Sequence, residues 1–310
     1  MQEILEKYQV RKTNKQKTEF IEYLSKRLQN KNYQINIEER WKGPFKTKNI
    51  IVGNPDTAKY FITAHYDTQP ISPFINFMFP TNVPIFLISQ ILTLIFIFAF
   101  TWVLSIPFAM MPISGEAYVY IYECIIFALL LWLMFGPANK HCANDNTSGT
   151  ITLIKFLEKL PEKYKDKICV VFFDNEEKGL FGSQFFAKKH KDMEDKLLFN
   201  IDCVGDGKNI VFMAKKKARK DTDLDILYKI LEKNAEKYNV KFIKKPMLPM
   251  MFPSDQANFD KGVGICALNK FLGCLYAGRI HTVFDTKCRE NNLEYISESI
   301  KEFLEVQYEG

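Results

Sequence analysis

The sequence predicts an α/β protein with a three-layer architecture, in which helices cover both faces of a mixed, mostly parallel sheet. Short runs rich in β-branched and aromatic residues alternate with stretches of helical periodicity along most of the chain, as is typical of this class. One segment departs from the pattern: residues 68–115 contain no Asp, Glu, Lys, Arg or His. We therefore expect an inserted two-helix hydrophobic hairpin within the α/β fold.

The expected elements follow in chain order. A helix is expected within residues 1–30, with later helices near 148–160, 180–190 and 222–238 and a last one from about 290. Strands are expected near 34–37, 50–52, 60–64, 167–173, 197–203, 263–268 and 272–276. We assign residues 1–72 and 138–310 to one α/β domain and residues 73–137 to the insertion.

The insertion contains two candidate membrane spans, residues 83–106 and 117–136. Each has the length of about 20 apolar residues that a bilayer crossing needs, and Glu123 is the only charge in the second. Pro84 suits a first helical turn, and Pro107 is expected to end the first helix. Two buried helices in a large core are the alternative, but soluble helices normally keep a polar face, so the pattern favours a membrane hairpin.

The charges that flank the spans favour a cytoplasmic location for the α/β domain. Four lysines (Lys42, Lys46, Lys48 and Lys59) precede the first span and Lys140 follows the second, whereas the connecting loop carries only Glu116. The N-terminus is too charged for a secretory signal peptide, and the seven cysteines form no CxxC pair, which favours a reducing compartment.

The overall composition gives no indication of nucleic-acid binding. Lys and Arg number 42 against 36 Asp and Glu, a formal net charge of +6. The basic residues are dispersed, with no arginine-rich run and no alternation of basic and aromatic residues. The oligomeric state is left open by the sequence.

Side chains that can bind metal follow several predicted strands. "KYFITAHYD" ends one strand with a histidine and an aspartate, "VVFFDNEE" ends another with two glutamates, and "LLFNID" ends a third with an aspartate. "CANDNTSG" places Asp145 before a helix, and "GRIHTVFD" places His281 after the last short strand. Because the carboxyl ends of parallel strands share one edge of a sheet, we expect these groups to converge. Imidazole and carboxylate without thiolate suit catalytic zinc, with cobalt or manganese as alternatives.

The motifs "HYD", "NDNTSG", "NEEKGLFGS", "NID" and "IHT..D" resemble, in this order, those of the co-catalytic zinc aminopeptidase family. That family includes bacterial leucine aminopeptidases, aminopeptidase Y and transferrin-receptor-like proteases. The resemblance covers roughly residues 50–67 and 138–305 and implies a zinc-exopeptidase-like fold. One departure is "SDQANF", where Gln256 stands in place of a histidine that relatives often carry. This substitution bears on substrate contacts more than on metal binding.

The resemblance implies two divalent metal ions, with zinc favoured, that share Asp145 as a bridging ligand. His65 and Asp202 would complete one site, and Glu177 and His281 the other. Members of the family often hold the peptide bond after the bridging aspartate in the cis form. The Asp145–Asn146 bond is therefore expected to be cis.

The catalytic residues implied by the resemblance are Glu176, as general base, and Asp67, which would orient His65. The expected function is a membrane-anchored aminopeptidase that hydrolyses N-terminal peptide bonds through metal-bound water, with hydrophobic peptides as candidate substrates. Two alternatives remain: a glutaminyl-cyclase-like acyltransferase with one zinc, and a non-catalytic receptor or interaction domain. The metal content would distinguish them: two equivalents for the aminopeptidase, one for the acyltransferase and none for the non-catalytic domain.

Overall fold

A mixed sheet forms the centre of the protein, whose structure is a computed structural model that describes residues 1–74, 77–249 and 252–309. Within that part of the chain the strands are β1 (Ile35–Lys42), β2 (Phe45–Val52), β3 (Tyr60–His65), β4 (Phe77–Met78), β5 (Ile168–Phe173), β6 (Leu197–Ile201), β7 (Asn209–Ala214), β8 (Lys241–Pro246), β9 (Gly262–Phe271) and β10 (Cys274–Gly278). Their order is β1-β2-β5-β3-β6-β9-β10-β4, and β7 pairs with both β8 and β9. The central strands β5, β3, β6 and β9 run parallel.

Helices cover both faces of this sheet, so the predicted α/β class is confirmed. They are α1 (Gln2–Lys7), α2 (Asn14–Gln29), α3 (Val83–Ala109), α4 (Gly115–Phe135), α5 (Gly149–Lys159), α6 (Phe181–Lys189), α7 (Thr222–Asn234) and α8 (Glu290–Glu309). Helices α2, α5, α7 and α8 build one apolar layer with the sheet. Helix α6 covers the other face, where the ring of Phe186 packs against Phe61 and Phe173.

The central strands are apolar on both faces because both faces are covered. In β5, Val170 and Phe172 belong to the larger core and Val171 to the smaller one, and all three are fully buried. The parallel register of β3 and β5 pairs His65 with Phe173. Strand β3 therefore ends level with β5, and the polar residues that follow each strand share one edge of the sheet.

Several predicted boundaries are wrong. The N-terminal segment forms two helices rather than one, because Thr13 and Gln16 make a capping box that starts α2 afresh. Strands β4, β7 and β8 were not expected. Helix α3 also continues past Pro107 to Ala109, since the proline removes one backbone donor while the amide of Met110 still bonds to the carbonyl of Ile106.

Helices α3 and α4 form an antiparallel hairpin. The hydroxyls of Ser105 and Tyr118 lie 2.8 Å apart across it. Both helices are long and apolar enough to cross a membrane, with mean hydropathies of 2.5 and 2.0 over windows in which no residue is buried. The chain leaves and returns at one neck (residues 70–72 and 137–139), where the amide of Ile71 donates to the carbonyl of Pro137 at 2.9 Å.

Asp174, the first acid after β5, is paired with a lysine of α2. The ammonium of Lys17 forms a salt bridge with Asp174, and the two side chains are 2% and 0% exposed. The other carboxylate oxygen of Asp174 accepts the amide of Lys48 at 2.8 Å. Burial nevertheless raises the pKa of Asp174 to about 6. The charge of this acid is thus compensated within the chain by Lys17.

Replacing Lys17 with methionine should destabilise the fold, because Asp174 would remain buried without its counter-charge. We expect K17M to lower the free energy of unfolding by about 3–5 kcal/mol. Denaturant unfolding of the purified chain in detergent measures this change. The control is K15M, whose lysine is 86% exposed and should change the free energy by no more than about 0.5 kcal/mol. Equal unfolding midpoints for K17M and K15M would contradict the prediction.

Candidate metal centre

Asp145 lies between two histidines at the carboxyl edge of the sheet. Its Oδ1 is 3.3 Å from Nε2 of His65, and its Oδ2 is 2.8 Å from Nε2 of His281. Each carboxylate oxygen thus faces a different imidazole. A carboxylate in this position can offer one oxygen to each of two cations.

A second carboxylate lies beside each of these two histidines. Oδ1 of Asp202 lies 3.5 Å from Nε2 of His65, and Oε2 of Glu177 lies 3.8 Å from Nε2 of His281. In each of the two triads the ligand atoms lie within 4.8 Å of one another. The fold brings together all five of the ligands implied by the sequence, in the same two groups.

The turn that carries Asp145 is docked on the end of β6. Nδ2 of Asn146 donates to the carbonyl of Ile201 at 2.9 Å, and Oδ1 of Asn146 accepts the amide of Gly149 at 3.0 Å. A side chain at Gly149 would place its Cβ 2.4 Å from the carbonyl oxygen of Ile201, so only glycine permits this approach. The Asp145–Asn146 peptide bond is cis, which confirms the expectation. Asp202 follows Ile201 directly. The turn that carries Asp145 and the loop that carries Asp202 are therefore fixed to each other.

Asp285 holds the same turn from the opposite side. Its carboxylate accepts the backbone amides of Asn144 and Asp145 at 2.8 and 3.0 Å. Burial raises the pKa of Asp285 to about 8. His281 lies on the same loop as Asp285. This loop therefore supplies one candidate ligand, His281, and also the clamp, Asp285, that fixes the turn of Asp145. The motif "IHT..D" contains this aspartate, but no role for it was predicted.

Asp67 links the histidine of β3 to the glutamate loop. Nδ1 of His65 lies 3.5 Å from Oδ1 of Asp67 and 3.3 Å from its carbonyl oxygen. Oδ1 of Asp67 also accepts the amide of Glu176 at 3.0 Å. The imidazole and the start of the glutamate pair are therefore oriented by one carboxylate, in agreement with the role implied for Asp67.

Arg11, between α1 and α2, makes hydrogen bonds to two segments that carry site residues. No role for it was predicted from the sequence. Its fully buried guanidinium donates to the carbonyl of Tyr66 and, at 3.1 Å, to the hydroxyl of Thr147. Its backbone amide donates to the hydroxyl of Thr68 at 3.0 Å. One side chain thus ties the loop after β3 to the turn that carries Asp145. A single arginine in a charged N-terminal segment gives no signal of such a role.

The adjacent glutamates are half-buried and lie in an acidic environment. Burial raises the pKa of Glu176 well above its ordinary value; His65 opposes the shift, and the neighbouring acids add to it. Burial, Asp145 and Glu176 together raise the pKa of Glu177 in the same direction. Oε1 of Glu177 and Oδ1 of Asp202 are buried and have no hydrogen-bond partner in the described residues. Such oxygens are costly unless a cation binds them, so the donor set fits divalent metal ions.

Gln256 has a structural role that the sequence did not indicate. It is fully buried, its Oε1 accepts Nδ2 of Asn200 at 2.8 Å, and its Nε2 donates to the carbonyl of Phe252 at 2.9 Å. Its side chain is therefore engaged within the fold, contrary to the expected bearing on substrate contacts. The residue before it, Asp255, has two buried carboxylate oxygens without a hydrogen-bond partner among the described residues. Burial raises the pKa of Asp255 to about 7.

The cluster is most accessible at His281. The side chain of His281 is 29% exposed, whereas those of His65 and Asp145 are 1% and 6% exposed. The carbonyl of His281 accepts the amide of Ser72 at 2.7 Å. The neck of the helical hairpin therefore borders the open side of the cluster.

The sequence model of Peptidase family M28 matches residues 132–301, more than half of the chain. The chain belongs to Peptidase family M28. The matched region includes Asp145, the two glutamates, Asp202 and His281, whereas His65 lies before it. The family is one of zinc-dependent, peptidase-type enzymes, which the imidazole and carboxylate cluster fits. No curated protein is significantly similar to the chain in sequence.

Solved structures of M28-like fold include both peptidases and cyclases. The LapA aminopeptidase of Legionella pneumophila matches with a TM-score of 0.55 and 13% identity, over 98% of this chain and 69% of that one. A glutaminyl cyclase of Porphyromonas gingivalis matches with a TM-score of 0.59 and 14% identity, over 96% and 92%. A glutaminyl cyclase of Macrostomum lignano matches with a TM-score of 0.60 and 11% identity, over 99% and 88%. At these identities the likeness shows the shared fold alone.

Substituting Asp285 with alanine should weaken metal binding, because the amides of Asn144 and Asp145 would lose the carboxylate that fixes the turn. We expect D285A to lower zinc affinity about 10–100-fold, as is usual for residues that orient ligands. Titration of zinc against a competing chelator measures the affinity. D225N, on the exposed side of α7, is the matched control and should bind zinc normally. Unchanged affinity in a folded D285A variant would refute the clamp.

Proposed function

We propose that this M28 protein is a membrane-anchored di-zinc aminopeptidase. The observation that carries the proposal is the position of Asp145, whose two oxygens face two different histidines. His65 and Asp202 would hold one cation, and His281 and Glu177 the other. A site for a single zinc would need only one of these triads.

The chain's own residues would divide the work of peptide hydrolysis. When bound, the two cations supply an acidified water and an electrophile for the substrate carbonyl. Glu176 lies outside the two triads that share Asp145, although it forms a third group with His65 and Glu177. Its carboxylate would take a proton from the attacking water and return it to the leaving amine. Asp67 orients the imidazole of His65 and, through the amide of Glu176, the loop that carries the base.

The charge of the site supports a substrate with a free amino terminus. Four carboxylates cluster around the histidines, and two dications would balance them; they are Asp145, Glu176, Glu177 and Asp202. Asp255 is a further buried acid that interacts electrostatically with Glu176. Asp67 lies 3.5 Å from His65 and adds another acid, so the balance remains on the acidic side. This balance favours a substrate ammonium over a second carboxylate.

The hairpin of α3 and α4 supports anchoring in a membrane. The proposed catalytic unit comprises residues 1–72 and 138–310, and the inserted hairpin residues 73–137. Nζ of Lys12 lies 3.5 Å from the carbonyl oxygen of Phe135 at the end of α4. A lysine at this position, together with Lys140 beyond the neck, favours a cytoplasmic catalytic unit.

Replacing Glu176 with glutamine tests the proposed base. E176Q should keep its metal and lose activity about 10²–10⁴-fold, because a carboxamide cannot accept the proton. E177Q should instead lower the metal content, since it removes a ligand. Elemental analysis and assays of aminoacyl-amides in detergent, with and without chelator, measure both effects. Near-normal activity of E176Q would refute the assignment of the base.

The same measurements decide between the proposed function and its alternatives. Two equivalents of zinc with chelator-sensitive release of N-terminal residues support the aminopeptidase. One equivalent with cyclisation of N-terminal glutamine would identify a glutaminyl cyclase instead. No bound metal and no turnover would identify a non-catalytic domain.

Membrane extraction tests the hairpin. The full chain should resist carbonate and require detergent, because the apolar residues of both helices would otherwise face water. Replacing residues 74–135 with a short Gly-Ser linker should release a soluble domain that still binds zinc. The two segments of the neck already pair at residues 70 and 138, so a short linker can join them. A full chain that is soluble and monodisperse without detergent would show that the hairpin is a lid or a dimer contact.

A further inference from the structure

The segment that leads from the catalytic unit into the hairpin packs far along its first helix. The ring of Phe74 lies 5.5 Å from that of Phe96 and 5.4 Å from that of Phe100, and Phe74 is only 6% exposed. At 1.5 Å per residue, Phe100 stands about 26 Å from the first residue of α3, and only about 14 Å of the helix extends beyond it. The hydrocarbon core of a bilayer is about 30 Å thick. When the hairpin crosses the bilayer, this segment therefore lies beside a part of α3 that the lipid covers.

The turn between β9 and β10 lies beside the same helix. Phe271 and Leu272 at this turn are 63% and 87% exposed, although both are large and apolar. Phe271 lines an apolar cavity of about 580 Å³ together with Leu92 and Phe96 of α3. These two helix residues stand about 14 and 20 Å from the start of α3. The β9–β10 turn is therefore level with the part of α3 that a bilayer would cover.

Other exposed apolar side chains surround the base of the hairpin. Together with the β9–β10 turn they form what we call the apolar ring: Trp41, Phe77, Phe271, Leu272, Val283 and Phe284. Phe77 lines the cavity that Phe271 lines, and Val283 and Phe284 line a second cavity with Trp132 of α4. Contiguous apolar surface of this kind marks an interaction site, whereas scattered exposed residues do not.

The β1–β2 turn completes the ring on the other side of the hairpin. Phe45 stacks on Phe135 at the end of α4, with ring centroids 6.1 Å apart. Trp41, near the end of β1, is 63% exposed and is followed by Lys42, and Lys270 directly precedes Phe271. Tryptophan beside lysine is the combination found at the boundary between lipid and water.

Lipid fits this surface better than a protein partner does. Three successive residues of α3, Leu94, Ile95 and Phe96, are 54%, 58% and 55% exposed. Successive residues of a helix point about 100° apart, so exposure of all three leaves most sides of α3 uncovered. A second protein chain would cover one side of the hairpin, whereas acyl chains can surround it and the ring at once.

We propose that the apolar ring is a second bilayer contact, in which the β9–β10 turn with Phe271 and Leu272 inserts into the leaflet from which the hairpin emerges. The inference rests on the membrane anchoring in the proposed function and extends it to the catalytic unit itself. Val283 and Phe284 closely follow His281, so the open side of the metal cluster would lie at the boundary between lipid and water. Substrates would then reach the site from the surface of the membrane.

A fluorescent probe at the turn tests the insertion. The full chain carries L272C labelled with an environment-sensitive fluorophore, in a background where the three most accessible native cysteines are alanine: Cys124, Cys274 and Cys288. It is reconstituted in vesicles of phosphatidylcholine and phosphatidylglycerol. The probe should be quenched by doxyl-labelled lipid and protected from aqueous iodide.

The control position is Val306, an exposed residue near the end of α8. Its neighbour Gln307 bonds to Asp223, which also accepts the hydroxyl of Tyr60 at the first residue of β3, so Val306 belongs to the edge of the sheet opposite the metal cluster. A probe at V306C should be quenched by iodide and not by doxyl-labelled lipid.

Carbonate extraction of the same vesicles separates the two proposals. If the chain is retained and the probe at position 272 is quenched by iodide as readily as the probe at 306, the insertion is refuted while the anchoring stands. If carbonate releases the chain, the anchoring fails and the inference fails with it. Retention with lipid quenching at 272 alone supports both.

Discussion

The accumulation of buried carboxylates around Asp145 is the constraint on which the rest of the site depends. The two histidines that face this residue cannot balance the surrounding acids, and two of the acidic oxygens have no hydrogen-bond partner in the described chain. Burying such charges costs free energy unless cations bind them. The parallel strands β3, β5 and β6 end at one edge and bring the acids together there. The fold itself therefore assembles a cluster of negative charge that bound cations would balance.

The N-terminal segment shows how the chain limits the charge that metals must balance. Lys17 neutralises Asp174 inside the core, which leaves only the glutamates of the same loop facing the histidines. Arg11 satisfies backbone and hydroxyl acceptors on both sides of the cluster. Arg11 lies within the break between α1 and α2, and Lys17 lies in the first turn of α2, so the N-terminal segment supplies both buried basic residues.

The insertion couples the site to the surface around the hairpin. The neck brings Ser72 against the carbonyl of His281, so the anchor and the exposed histidine share a backbone hydrogen bond. If a short loop joined β3 to the turn of Asp145 in place of the insertion, a solvent-exposed loop would make the same hydrogen bond. Here it places the mouth of the cluster next to helices that have the hydropathy of membrane spans.

The sequence by itself determined the fold class, the hairpin and the identity of the residues that meet at the cluster, because hydrophobic periodicity and strand-end motifs are local signals. It could not determine the clamp of Asp285 on Asn144, a hydrogen bond between residues 141 positions apart, or the roles of Arg11 and Asp255. It also missed β7 and β8; β7 pairs with β9 and β8 pairs with β7, and only the assembled sheet defines these pairings. Such long-range partners have no fixed spacing in the chain, so only the tertiary structure decided them.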